Sequence, residues 1–135
     1  MSYPIANLER FAPGVATTLK SVGIRTTGRL LEQAKDPKGR KDLAARISID
    51  EKRILRWANM ADRMRIKGIG EDYAELLEAA GVDTVRELKY RNPTNLAKAM
   101  ADANTERKLV ELLPSEKAIR RWIEHARKLP LKITY

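Results

Sequence analysis

Apolar residues recur along this chain at three- and four-residue spacing, the period of a helix with one buried face. Ile54, Trp57, Ala58, Ala61 and Met64 lie on one such stripe, and Ile119, Trp122, Ile123, Ala126 and Leu129 repeat it. Both stripes predict amphipathic helices of about four turns. Asp50 and Ser115 stand before them at equivalent positions, each an N-cap whose side-chain oxygen can accept from an orphan backbone N–H. Tyr73, Leu76 and Leu77 share another helical face. Thr84 with Glu87 predicts a capping box, and Pro93 after Asn92 predicts a helix opened by proline in its first turn. Gly23 and Gly81 stand where helices must stop in a left-handed conformation, each followed by a β-branched residue that can tuck onto the core. No stretch alternates long enough to predict a sheet, and Leu131–Tyr135 reads as a short extended tail. The fold class expected is all-α.

The helical pattern occurs twice. Leu8 to Leu30 matches Ile66 to Leu88 at a constant offset of 58, pairing Leu19 with Leu77, Gly23 with Gly81 and Thr26 with Thr84. Asp50 to Trp57 matches Ser115 to Trp122 at an offset of 65, so the second copy is seven residues longer inside. One copy of such a unit cannot bury its apolar face alone. Residues 1–135 are therefore expected to form a single domain, with copy one at about 5–65 and copy two at about 66–130. Each copy reads as helix, tight hairpin, helix, glycine stop, short helix, linker helix and long Trp-bearing helix.

Composition narrows the partners. The 27 Lys+Arg against 18 Asp+Glu give a net charge of +9, which favours a polyanion such as nucleic acid or an anionic membrane surface. The charge is uneven, with 14 basic and 7 acidic residues before position 66 and 13 and 11 after it. Its densest part is Lys35, Lys38, Arg40, Lys41 and Arg46 around the Asp36-Pro37-Lys38-Gly39 turn. These residues are either a phosphate-binding surface or an ordinary solvated loop and helix start. Cysteine is absent, which excludes disulfides, thiolate metal sites and Cys nucleophiles together. No apolar run suits a signal peptide or a membrane span, so the cytoplasm is the expected location and no membrane the expected partner.

Ile66-Lys67-Gly68-Ile69-Gly70, followed by the Tyr73 face and the Gly81 stop, resembles the helix-hairpin-helix motif. That resemblance implies a sequence-independent contact in which hairpin N–H groups at a helix start hold a phosphate. Glycine permits the close approach, and the helix N-terminus carries partial positive charge. The stretch from Ile66 to Val85, with Arg91-Asn92-Pro93, Leu113-Pro114-Ser115-Glu116-Lys117, Trp122-Ile123 and Pro37-Lys38-Gly39-Arg40-Lys41, is similar to the bacterial domain-of-unknown-function family 4332. This resemblance implies two tandem helix-hairpin-helix units packed as one compact helical domain, and no established activity.

The copies depart from the motif differently. In the first, Arg10 and Ala12 occupy the hairpin glycine positions, leaving Pro13-Gly14 to form another turn and the Arg10 side chain as a contact. In the second, Glu71, Asp72 and Glu75 open the following helix; they suit the helix dipole and oppose a phosphate, an effect Lys67 partly offsets. The candidate contacts are thus Lys35, Lys38, Arg40, Lys41 and Arg46 with Lys67, Gly68, Ile69 and Gly70; the alternative is a hairpin kept for helix packing alone. Trp57 and Trp122 are expected to anchor the core rather than stack on bases. His125 is expected at the surface, and Tyr73 and Tyr90 half-buried at helix contacts.

Catalysis finds little support. One histidine and no cysteine assemble no Ser-His-Asp or Cys-His set, no Gly-x-x-x-x-Gly-Lys-Ser/Thr loop is present, and no metal or cofactor is expected. Resemblance to glycosylases of the helix-hairpin-helix type ends at the hairpin, because Leu88-Lys89-Tyr90-Arg91 stands where they place a catalytic Asp. Two function classes remain: a non-enzymatic nucleic-acid module, for DNA rather than RNA, and a protein-interaction adaptor with no nucleic-acid role.

Overall fold

Helix ends fall where side chains can satisfy the backbone. A computed structural model describes every residue from Met1 to Tyr135. After a 3-10 turn at Ile5–Leu8 come α1 (Val15–Lys20), α2 (Thr27–Ala34), α3 (Pro37–Ile47), α4 (Glu51–Arg63), α5 (Glu71–Ala79), α6 (Val85–Lys89), α7 (Pro93–Arg107) and α8 (Glu116–Lys128). There is no strand, only a single bridge between Pro4 and Thr26. The protein is all-helical. Asp50 accepts from the Lys52 N–H at 2.8 Å and Ser115 from the Ala118 N–H at 3.0 Å. Asn92 caps α7 through the Asn95 N–H, and Asp36 caps α3 through the Gly39 N–H at 2.7 Å. Gly23 and Gly81 take φ of +83° and +93°, and Ile24 and Val82 after them are buried.

Three expectations are corrected. The Thr84 hydroxyl donates to Glu87 at 2.8 Å, but the Val85 N–H goes to buried Asp62 at 2.8 Å, so a carboxylate from α4 replaces the capping box. The first hairpin is preceded only by the 3-10 turn, because Pro4 leaves four residues, too few to nucleate a helix. Tyr90 is exposed, its ring beneath the Lys89 ammonium. The extra length of the second copy splits between α7, 15 residues against 11 in α3, and the linker after it. Both linkers begin with a non-glycine residue in left-handed conformation, Ser48 (φ 56°) and Lys108 (φ 50°). From Ser48 the chain needs only Ile49 and Asp50 to reach α4, whereas from Lys108 it runs through Leu109–Ser115 before α8.

Packing repeats in outline. α2 and α3 lie against α4, α6 and α7 lie against α8, and α5 contacts both α4 and α7. Buried apolar side chains from both halves join in one continuous cluster. Trp57 and Trp122 are each 4% exposed within it, as their stripes predicted. The Leu131–Tyr135 tail has no regular structure; Ile133 is buried and the Thr134 N–H donates to Lys35 O at 2.8 Å.

Candidate nucleic-acid interface

The basic segment does not survive as one surface. Arg40 is 5% exposed. One turn past the α3 cap, its guanidinium folds back to donate to Ala34 O at 3.0 Å and Thr134 O at 2.6 Å, tying the end of α2 to the tail. So held, it cannot reach a phosphate, and the expectation for Arg40 is overturned. Lys35 pairs with Glu32 at 3.1 Å, and Arg46 donates to Val22 O at 3.3 Å. Lys38 and Lys41 remain exposed with no partner in the protein.

The second hairpin is built against α8. Ile66 and Ile69 are buried, and the Ile69 N–H closes the turn on Ile66 O at 3.1 Å. Gly68 has φ +92°, a conformation that favours glycine, and a Cβ there would press on the Trp122 ring, 3.2 Å from Nε1. The Tyr73 and Trp122 rings lie 5.4 Å apart, and the Tyr73 hydroxyl donates to Leu112 O at 3.0 Å. His125 is half-buried, and its Nδ1 accepts from the Lys67 N–H at 3.2 Å. The surface role expected of His125 gives way to one in holding the hairpin. The N–H groups of Gly68, Gly70, Glu71, Asp72 and Tyr73 have no acceptor within the protein, and Lys67 is exposed beside them.

The first hairpin is closed from within. The Glu9 carboxylate accepts from the Gly14 N–H at 2.6 Å and the Ala16 N–H at 3.4 Å, at the start of α1. Arg10 pairs with Asp72 and donates to Leu109 O at 3.0 Å. The Phe11 N–H donates to Glu71 at 2.8 Å. Arg56 lies 4.5 Å over the Phe11 ring and binds Glu78 through two bonds, of 2.8 and 3.0 Å. Glu71 and Asp72, the acids beside the second hairpin, are thus turned toward the first. Burial raises the Glu71 pKa, against the lowering effect of the Phe11 N–H. Behind this interface Arg63 is buried, donating to Ala74 O at 2.9 Å and Asp83 O at 2.7 Å, and burial lowers its pKa to about 10.

Two grooves flank the second hairpin. One of about 910 Å³ runs toward α8, with Lys67, Gly68, Arg121, His125, Leu112 and Leu113 among its walls. A smaller one of about 510 Å³ lies at the start of α5 beside Glu71, Asp72, Val110 and Glu111. Arg121, His125 and the Leu112-Leu113 wall escaped the sequence reading. The one available signal was the extra length of the second copy, which supplies that wall.

The family described as Domain of unknown function (DUF4332) matches residues 9–129. The chain belongs to this family. Neither a curated protein nor a solved structure matches it. No helix is long and apolar enough to cross a membrane.

Proposed function

We propose that this protein is a non-enzymatic module, acting in the bacterial cytoplasm, that binds duplex DNA without sequence choice. In this reading α4, the Lys67–Gly70 hairpin and α5 form a helix-hairpin-helix unit gripping one phosphate through the hairpin N–H groups. The observation that carries it is the contrast between hairpins. Glu9 supplies an internal anion to the first, while Lys67, its equivalent at the offset of 58, leaves the second with five unpaired N–H groups beside a cation. Such a set favours an external anion. Glu71 and Asp72 oppose a phosphate less than their position suggests, since Phe11 and Arg10 engage them. Lys38 and Lys41 add charge without reading bases.

Fluorescence anisotropy with unrelated DNA duplexes tests it. Affinities should be similar across sequences, and log K should fall with log salt at a slope of roughly −0.9 per phosphate neutralised. Lys67→Glu and Gly68→Val should weaken binding on every duplex, and Lys38→Ala with Lys41→Ala should flatten the slope. No binding at low salt, even at high micromolar protein, would refute the reading.

A further inference from the structure

We infer that the groove between the Gly68 hairpin and α8 docks an acidic amphipathic helix of a partner protein. The template lies inside the molecule. In the first copy the hairpin and its tryptophan helix make a corner that α5 fills: Glu71 accepts from the Phe11 N–H, Asp72 pairs with Arg10, and Glu78 binds Arg56. Arg121 follows Arg56 by 65 residues and Gly68 follows Arg10 by 58, the same offsets that relate the copies. The second corner therefore carries the cation of the first and has no α5 of its own to fill it.

Its chemistry selects the occupant. Lys67, Arg121 and His125 stand among the groove residues, and no carboxylate does, so an acidic segment is complementary. Leu112 and Leu113, 77% and 40% exposed, add an apolar wall that the first corner lacks, because only Ile49 and Asp50 separate Ser48 from α4. That wall suits the aliphatic stripe of a helix. A nucleobase finds less: Trp122 is buried, and Tyr73 packs on it with its hydroxyl tied to Leu112, leaving no free ring for stacking. The inference does not rest on the DNA reading, which uses the hairpin N–H groups and not the leucine wall.

A fluorescein-labelled, side-chain-stapled peptide of the α5 sequence, Gly70–Ala80, added to the intact protein is the test. The protein's own α5 keeps the first corner, since its tether holds it at an effective concentration of roughly millimolar. Saturable binding is expected, weakened about tenfold or more by Leu113→Asp or by Arg121→Glu, the scale of one buried leucine or one lost charge pair. A peptide carrying Glu78→Lys should recover affinity for the Arg121→Glu protein. DNA binding should be unchanged by the neutral change Leu113→Ala, which adds no charge beside the hairpin, so loss of DNA binding through Lys67→Glu and loss of peptide binding through Leu113→Ala report separately. The inference fails if the peptide does not bind, or binds equally to both variants. It also fails if duplex DNA competes with the same dependence on Leu113 and Arg121, or if the protein dimerises through this wall and Leu113→Asp makes it monomeric.

Discussion

Glu9 and Lys67 hold the same place in their copies, and the opposite charges separate what the two hairpins can do. Glu9 folds onto the start of α1 and satisfies the Gly14 and Ala16 N–H groups; in the second copy the Asp72 N–H, equivalent to that of Gly14, stays open, and the Ala74 N–H is met by Gly70 O at 2.9 Å rather than by a side chain. A second contrast runs the other way. The first copy holds most of the net positive charge, yet much of it is engaged internally. Arg10, Arg56 and Arg65 pair with carboxylates, while Arg40 and Arg63 are buried on backbone carbonyls. The less basic copy keeps Lys67 and Arg121 exposed at its groove. Net charge thus measures attraction poorly where arginine acts as a staple for helix ends, a use its planar, multiply donating head suits.

The largest effect tests whether the copies are one unit at all. Trp57→Ala and Trp122→Ala should each cost about 3 to 5 kcal/mol, the range for deleting a large core aromatic. Denaturant melts followed by two probes should show one transition in both variants. Separate transitions, or a tryptophan that can be removed freely, would break the premise that the copies share a core. Next in size is Gly68→Ala, which should cost about 1 to 3 kcal/mol for a strained positive φ. Arg10→Ala at the equivalent position should cost about 1 kcal/mol or less, because the ion pair with Asp72 and the bond to Leu109 O that it loses are both exposed to solvent. Equal costs in urea denaturation would show that the second hairpin is not the more constrained one.

The fold was legible where a residue's effect is local. Asp50, Ser115 and Asn92 cap helices from their own side chains, and Gly23 and Gly81 stop them through their own φ. What stayed hidden depended on residues far away in the chain. Thr84 makes no side-chain cap, and the start of α6 is met instead by Asp62, 23 residues earlier, which accepts the Val85 N–H; Arg40 turned inward because a tail carbonyl 94 residues away awaited it. The candidate site divides in the same way. Gly68 and its hairpin could be read from spacing, whereas the groove needs Leu112, Arg121 and His125 brought together by folding.

A smaller effect asks whether the internal anion is what closes the first hairpin. Glu9→Ala should cost about 0.5 to 2 kcal/mol, the range for losing a helix cap, and should give the hairpin a measurable affinity for inorganic phosphate. Lys67→Glu should do the reverse and close the second. Phosphate titrations followed by amide chemical shifts at Gly14 and Gly70 check both. A Glu9→Ala protein whose Gly14 amide ignores phosphate would show that charge at this position does not decide the difference.

The smallest effect concerns how firmly α5 fills the first corner, and it depends on pH. Burial pushes the Glu78 carboxyl up, but the Arg56 hydrogen bond with the charges of Arg63, Arg56 and Arg107 outweighs it, and the net shift is downward. A folded-state value below the unfolded one means that the pair contributes stability above the ordinary carboxylate range and loses it as pH falls through the lowered value. Glu71 shifts upward, chiefly through burial, so its ionisation works against folding at neutral pH and its protonation in acid relieves that. The two acids of one helix therefore carry opposite signs. Glu78→Gln should lower stability at neutral pH by under about 1 kcal/mol, since Arg56 is largely solvated, and the deficit should vanish on acidification. Glu71→Gln should instead leave stability at neutral pH unchanged or slightly raised, and that gain should vanish on acidification. Urea melts at a series of pH values measure both, and parallel curves for the two variants would show that α5 is not held in the corner by these contacts.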